Sequence, residues 1–369
     1  MRKLSDPVRK VKAQVIGLDV HRRMTAYCIL DRAGREIACG EIASRPDALE
    51  RFVKEHVGRR KTHFAFESSG FSLWVYDWLV ERYGAERVHV AQAKKIRAIA
   101  NSQEKNDAND AFWLAYLTHE GRLPEAYVPP TIYRELRIAT RERAQLVKRR
   151  TKIFHHIRAH LAHIGRDVPT RSLRAIRARR FLETLAAELP GARGYALKLT
   201  LRELDHQDEA IADWEARITE MAEELPEARA IQEHIPGAGP VLSAAVAAES
   251  GPIRRFHTPK AYAKYTGLTP SDRSTGGRMI HGKISREGSS HLRWALGEIV
   301  MACMRCRRGP GVAVGQWVRV KQKRMSIKGK ARCAAARKVA ESIWRLFHYG
   351  ECFDPERPFG GRLAGSRIA

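Results

Sequence analysis

The sequence predicts an α/β N-terminal domain, a basic helical connector with a coiled-coil seam, and a mainly α-helical C-terminal domain. Three observations carry this: short strand-like runs alternating with helices over 13–125, a heptad of apolar residues in the middle of the chain, and a shift to Gly-rich turns and helices beyond Pro236. A chain of 369 residues is long for one core and suits more than one folded unit.

The first run is Val15-Ile16-Gly17-Leu18-Asp19-Val20, followed after turn-like breaks by Thr25 to Leu30 and Glu36 to Ile42, which reads as a β-meander. A helix over Pro46 to His56 leads to His63-Phe64-Ala65-Phe66-Glu67, a second apolar strand ending in an acid. Phe71 to Arg82 is amphipathic, Arg87 to Ala91 is one more strand, and Asp107 to Glu120 places Ala108, Ala111, Leu114, Ala115 and Thr118 at helical spacing. The N-terminal domain is therefore set at 13–125, with a mixed sheet.

The connector is set at 131–228. From Thr131 to Phe181 there are fifteen Lys/Arg against three Asp/Glu, a surplus of twelve, along a helix whose apolar series is Leu146, Ile153, Ile157, Leu161 and Ile164. Leu197, Leu204, Ile211, Ile218 and Leu225 then recur every seventh residue, with Trp214 and Met221 three positions after two of them. That seam predicts two helices forming a coiled-coil arm or an oligomer contact, an ordinary bundle helix being the plainer alternative. The C-terminal domain is set at 230–350, and 352–369, with Pro, Gly and Arg but no periodicity, is expected to be a flexible tail.

Whole-chain charge narrows the function. With 67 Lys+Arg against 41 Asp+Glu the formal charge is +26, which would repel itself unless a polyanion were the partner, so nucleic acid is expected. No run approaches the ~18 consecutive apolar residues of a membrane span, and the N-terminus has no apolar signal core. Six cysteines are too few to staple a chain this long, which fits a reducing cytoplasm and no membrane.

Within that cationic background the acids stand out. Asp19 and Glu67 each end an apolar strand, and Asp107 and Asp110, three apart, share one face of a helix. Four converging carboxylates suit Mg²⁺, which takes a few oxygen ligands and keeps its other positions for water and phosphate. Clustered acids would repel a polyanion unless a metal neutralised them. Taken singly, Asp19 could instead cap a turn and Asp107 a helix.

The C-terminal signals are cations and hydroxyls. Ile235-Pro236-Gly237-Ala238-Gly239-Pro240 feeds an apolar helix, and such a turn exposes N–H groups to phosphate, as in a helix-hairpin-helix motif; a plain helix–helix turn is the alternative. Ser271-Asp272-Arg273-Ser274-Thr275-Gly276-Gly277-Arg278 places hydroxyls on a flexible Gly-rich loop between Arg273, Arg278 and Arg286, fit to meet a phosphodiester. Phosphate contacts are also expected from Lys148, Arg149 and Arg150 in the basic helix, and from the run Lys321 to Lys338. Cys303-x-x-Cys306 lacks a second ligand pair and reads as packing, and His155, His156, His160 and His163 read as facing phosphate or solvent.

Three blocks, Ile16-Gly17-Leu18-Asp19-Val20-His21, Phe66-Glu67-Ser68-Ser69-Gly70 and Lys105-Asn106-Asp107-Ala108-Asn109-Asp110-Ala111, resemble the acidic blocks of the DEDD-type insertion-sequence transposases. Tyr265-Thr266-Gly267-Leu268-Thr269-Pro270, Ser271 to Arg278, Ile284-Ser285-Arg286-Glu287-Gly288 and Leu292-Arg293-Trp294-Ala295-Leu296 resemble that family's C-terminal domain. The resemblance implies an N-terminal domain with the RNase H-like fold of the RuvC resolvase, in which Asp19, Glu67, Asp107 and Asp110 bind Mg²⁺. It also implies a C-terminal serine that attacks DNA and holds it as a phosphoserine ester. Relatives often carry Ser directly before Gly; here Thr275 stands there and Ser274 one position earlier, and the primary hydroxyl of Ser274 is the favoured nucleophile. A structured non-coding guide RNA that pairs with donor and target DNA is further implied, and the heptads point to a homo-oligomer, dimer or tetramer, with a composite site. A RuvC-like nuclease using water and a non-catalytic nucleic-acid scaffold are the alternatives.

Overall fold

A computed structural model describes residues 10–58, 60–92, 95–96, 107–275, 278–325 and 327–360, with the side chains of 107, 108, 272–281 and 360 outside the description. The chain forms two compact units, Met1–Val128 and Pro129–Ala369.

The first unit is built on β1 (Gln14–Val20), β2 (Met24–Leu30), β3 (Glu36–Ala43), β4 (Thr62–Glu67) and β5 (Val88–Ala91), in the sheet order β3-β2-β1-β4-β5. The β1–β2–β3 meander is antiparallel, and β4 and β5 join parallel to β1, so the sheet is mixed as the apolar runs predict. Parallel pairing requires a crossover. That role falls to α1 (Pro46–His56) and α2 (Leu73–Tyr83).

Alternation along β1 divides its side chains between two cores. Ile16, Leu18 and Val20 meet Leu49, Phe52 and Val53 of α1 and Val75 and Leu79 of α2. Val15, with Ala26, Cys28 and Leu30 of β2, faces Ala111 and Ala115 of α3 (Asp107–His119). Gly17 is the contact point: a Cβ there would stand 2.0 Å from the Ala111 carbonyl oxygen and 2.8 Å from the Ala115 nitrogen, so any side chain would lift α3 off the sheet. At the other end of α3 the Val11 N–H donates to the His119 carbonyl at 2.8 Å. α3 thus runs antiparallel to β1, with its N-terminus toward the strand's carboxyl end.

In the second unit, α4 (Thr131–His163) and α6 (Gly191–Glu223) form an antiparallel pair, fixed by ion pairs Arg143–Glu215 and Arg150–Asp208, and Tyr133 Oη on α4 donates to Glu227, just beyond α6, at 2.9 Å. The heptad seam is covered from within the chain. Leu197 and Leu204 pack with Ile153, Ile157 and Leu161 of α4 and with Leu182 and Leu185 of α5 (Ile176–Glu188), while Ile218 and Leu225 enter the core of the helices that follow. Ile211 is 3% exposed. The seam is therefore not a free face for another copy, which corrects the expectation that it serves as the oligomer contact. Two long helices of one chain close on each other, and α5 and the C-terminal helices cover the rest of the seam, as in the plainer bundle alternative.

Residues 131–228 and 230–350, expected as separate domains, belong to one unit, because Tyr133, Leu136 and Ala139 of α4 and Ile218 and Ala222 of α6 share a core with the C-terminal helices. At its centre is α8 (Pro240–Ser250), buried from Ser243 to Ser250, reached from α7 (Pro226–His234). Around it lie α9 (Pro259–Tyr265), α10 (Ser290–Arg305), α11 (Gly311–Lys323) and α12 (Lys328–Tyr349). Glu249, 1% exposed, is held bidentately by Arg141 at 2.7 and 2.9 Å. A two-stranded ribbon, β6 (Pro270–Thr275) with β7 (Arg278–Ile284), interrupts the helices. Of the expected tail, Glu356–Gly360 form a helical turn whose Phe359 is buried against Trp317, so those residues are docked. Among the described residues, no helix is long and apolar enough to cross a membrane.

Candidate active site

The ladder between β1 and β4 ends at the pair Leu18↔Phe66, so Asp19 and Glu67 are the next residues on two adjacent parallel strands and stand side by side at their carboxyl ends. Leu18 and Phe66 belong to the core under α1 and α2, which by alternation puts Asp19 and Glu67 on the face that α3 covers. α3 begins at Asp107, one turn ahead of the Ala111 that touches Gly17, and Asp110 is exposed beside it. Three of the four sequence-selected acids are thus gathered at one end of the sheet by strand register and one glycine contact. The fourth, Asp107, has its backbone there and its side chain outside the described residues. Among the described residues no three His, Cys, Asp or Glu side chains form a ready metal cluster.

Asp19 is 6% exposed, and its Oδ2 lies 3.0 Å from Nε2 of the exposed His21. A second group that sequence reasoning gave no role is the turn after Glu67. Ser69 Oγ accepts the Phe71 N–H at 3.2 Å and Ser72 Oγ accepts the Ser69 N–H at 3.0 Å, holding an exposed Phe71 four residues beyond the acid. The signal was the Ser-Ser-Gly that follows Glu67, which favours a side-chain-bonded turn.

The C-terminal residues are arranged differently. Ser274 and Thr275, expected on a flexible loop, occupy the last two rungs of β6, paired with Met279 and Arg278. Gly276 and Gly277 and the side chains of Arg273, Ser274, Thr275 and Arg278 lie outside the described residues. The root of the ribbon is tightly tied. The Ser285 N–H donates to the Thr269 carbonyl at 2.9 Å and the Arg286 N–H to the Gly267 carbonyl at 3.3 Å. Gly267 has φ +68°, and a Cβ on Gly288 would stand 1.9 Å from the Tyr265 carbonyl oxygen. Arg286 is exposed with φ +55°, a left-handed backbone costing a non-glycine residue about 1–3 kcal/mol, which the surrounding turn must offset.

Of the other expected phosphate contacts, Gly239 is exposed at the start of α8, but Gly237 is committed to packing: it has φ +81°, and a Cβ would stand 2.8 Å from the Ile299 carbonyl oxygen. Lys148 and Arg149 are exposed on α4, whereas Arg150 is turned inward, 2.7 Å from Asp208. In the basic run, Lys338 is drawn over Trp317 and Phe359, while Lys323, Arg324, Lys328 and Lys330 are exposed. Burial pushes the Cys303 thiol up to about 12, as suits a packed thiol rather than a metal ligand.

Comparison with known proteins places this chain among the DEDD-type insertion-sequence transposases. A family model described as transposase matches residues 16–165, and one described as transposase IS116/IS110/IS902 family matches 229–312. A probable family 20 transposase of Pseudomonas aeruginosa is 30% identical over 266 residues, covering 68% of this chain and 75% of the relative. The transposase for insertion sequence element IS1111A of Coxiella burnetii is 27% identical over 256 residues, 68% of each chain. The chain belongs to the IS116/IS110/IS902 family of transposases.

Proposed function

We propose that the enzyme cuts and rejoins DNA with Mg²⁺ held by Asp19, Glu67, Asp107 and Asp110 on an RNase H-like domain, and with Ser274 as nucleophile. The observation that carries this is the meeting of Asp19 and Glu67 on adjacent strand ends, on the face where α3 begins with Asp107 and Asp110. The mixed five-stranded sheet supports the RNase H-like reading. The donor set fits the ion, since all four groups are hard carboxylate oxygens. When bound, the metal supplies charge neutralisation and Lewis acidity at a phosphodiester.

The chain's own residues do the rest. The Ser274 hydroxyl gives up its proton and forms an O–P bond, and the departing strand oxygen takes up a proton as its own bond to phosphorus breaks. Attack by a second strand's hydroxyl reverses the step, releasing serine and rejoining DNA without loss of the phosphoester. Arg273 and Arg278 would bear on the phosphate oxygens, with Thr275 supporting the ribbon. Exposed Lys148, Arg149 and Arg286 and the open Gly239 turn support backbone contact with DNA and with a structured non-coding guide RNA, base pairing supplying sequence choice. Assembly as a homo-oligomer in the cytoplasm, one protomer's acids beside another's hydroxyl, completes the reading. The test is a nicked DNA substrate that traps the protein–DNA ester, followed by peptide mapping. An adduct on 271–278 is expected with Mg²⁺, and an active wild type that forms none uses water as the nucleophile instead.

A further inference from the structure

At the root of the β6–β7 ribbon lies a groove of about 720 Å³ between α9, the ribbon and α12. It is lined by Lys260 and Lys264 of α9, Thr269 and Ser285 of the ribbon's root, and Arg337 and Glu341 of α12, with Glu287 at its edge. Two of these residues carry buried polar atoms with no hydrogen-bond partner, Ser285 Oγ and Arg337 Nε, the latter only loosely ion-paired with Glu341 at 3.7 Å. A buried polar group left without a hydrogen bond costs about 1–3 kcal/mol, so the Ser285 hydroxyl, with the loosely paired Arg337 beside it, calls for an acceptor from outside. The backbone around Ser285 is fixed by its N–H bond to Thr269 and by the left-handed Arg286. The residue that carries the hydroxyl is therefore fixed at the groove.

We infer that this groove binds one backbone phosphodiester of a nucleic-acid strand, which leaves the ribbon tip and runs down to its root. This rests on the reading of the ribbon as the site of strand attack. The charge is matched to the ligand: Lys260, Lys264 and Arg337 exceed Glu287 and Glu341 by one, which suits a single monoanionic phosphodiester rather than a polyphosphate. The donors are matched as well, since Arg337 Nε–H can only donate and the Ser285 hydroxyl can donate to a phosphoryl oxygen. Lys260 and Lys264 are exposed and available as point charges. From Pro270 to Thr275 the strand rises roughly 17 Å, so the bound phosphate lies about five B-form nucleotide steps from the one attacked at the tip.

The test uses the full-length protein without divalent metal and reads binding only, so failure of the covalent chemistry leaves it unaffected. Labelled DNA and RNA oligonucleotides of one sequence are titrated across a salt series. Lys260→Gln with Lys264→Gln should lower the slope of log affinity against log salt by about 1, the share of a single phosphate, and weaken binding by at least about tenfold at low salt. Ser285→Ala, a small change that leaves every lysine in place, should weaken binding a fewfold with the slope unchanged. Loss in the DNA arm alone assigns the groove to a DNA strand, and loss in the RNA arm alone to an RNA strand. Wild-type affinity and slope in both arms, for both variants, would overturn the inference.

Discussion

The acids and the hydroxyls of this transposase sit on scaffolds of opposite character. Asp19 and Glu67 stand on strands bonded on both sides within a five-stranded sheet, with α3 pressed so close that only glycine fits at 17. Ser274 and Thr275 stand at the far end of a ribbon that is two strands wide among the described residues, its root tied through Gly267, Ser285 and Gly288. A two-stranded ribbon is marginal by itself, so position at its tip depends on the root and on what binds along it. If the proposed roles hold, one half of the chemistry is preorganised by the fold and the other half is presented to the substrate.

The sharpest way to break this comparison is to remove one acid. Asp19→Asn keeps shape but loses charge, and recombination with Mg²⁺ should fall by at least about a hundredfold with the melting temperature little changed. Near-normal activity would dissolve the shared site. At the ribbon, Ser274→Ala should abolish the trapped protein–DNA ester, while Thr275→Ala should reduce the yield without removing it. An adduct lost with Thr275→Ala and kept with Ser274→Ala reverses the assignment of the nucleophile.

The two scaffolds also differ in how far the sequence discloses them. Strands β1 and β4 are continuous apolar runs closed by an acid, and α3 shows its apolar positions at helical spacing, so local patterns were enough to place three of the acids. The ribbon was hidden because Pro270 to Ile284 is polar and Gly-rich and carries no alternating apolar signature. The seam of α6 was legible as a heptad, but periodicity does not say whose helix fills it. The reciprocal pairing, with Arg143 and Arg150 on α4 meeting Glu215 and Asp208 on α6, comes only from the folded chain. Phe359 had no periodic neighbours to announce its burial.

That last distinction can be sharpened by two substitutions on one helix. Ile218 is fully buried between α6 and the C-terminal core, whereas Leu199 is 42% exposed. Ile218→Asp should destabilise the second unit by about 3–5 kcal/mol through burial of an unpaired charge, while Leu199→Asp should change stability by no more than about 1 kcal/mol. Chemical denaturation measures both. If Ile218→Asp leaves stability intact but dissociates an oligomer, the seam faces another chain after all.

The smallest effect expected is a pH response rooted in the sheet, away from the acids. His63 on β4 lies with its Nδ1 2.9 Å from Nε2 of His89 on β5, and His89 Nδ1 lies 2.6 Å from Glu125. Burial, then the neighbouring His89, Lys61 and Arg87, push His63 down to about 4, with Glu86 opposing weakly. Folding therefore holds His63 neutral where the unfolded chain would protonate it. The stability it contributes is whole above the unfolded value near 6.5, and is lost as pH falls from there through about 4. Glu125 is held below the usual carboxylate range by its bond to His89, so its own contribution is lost only at more acidic pH. Melting curves of the full chain between pH 7.5 and 4.5 should fall more steeply for the wild type than for His63→Phe, which cannot take up the proton. In the second unit His291 is likewise lowered by burial but opposed by Glu249, so removing it should flatten the profile less. Parallel curves for the wild type and His63→Phe would show that the His63–His89–Glu125 chain does not couple protonation to the fold of the sheet.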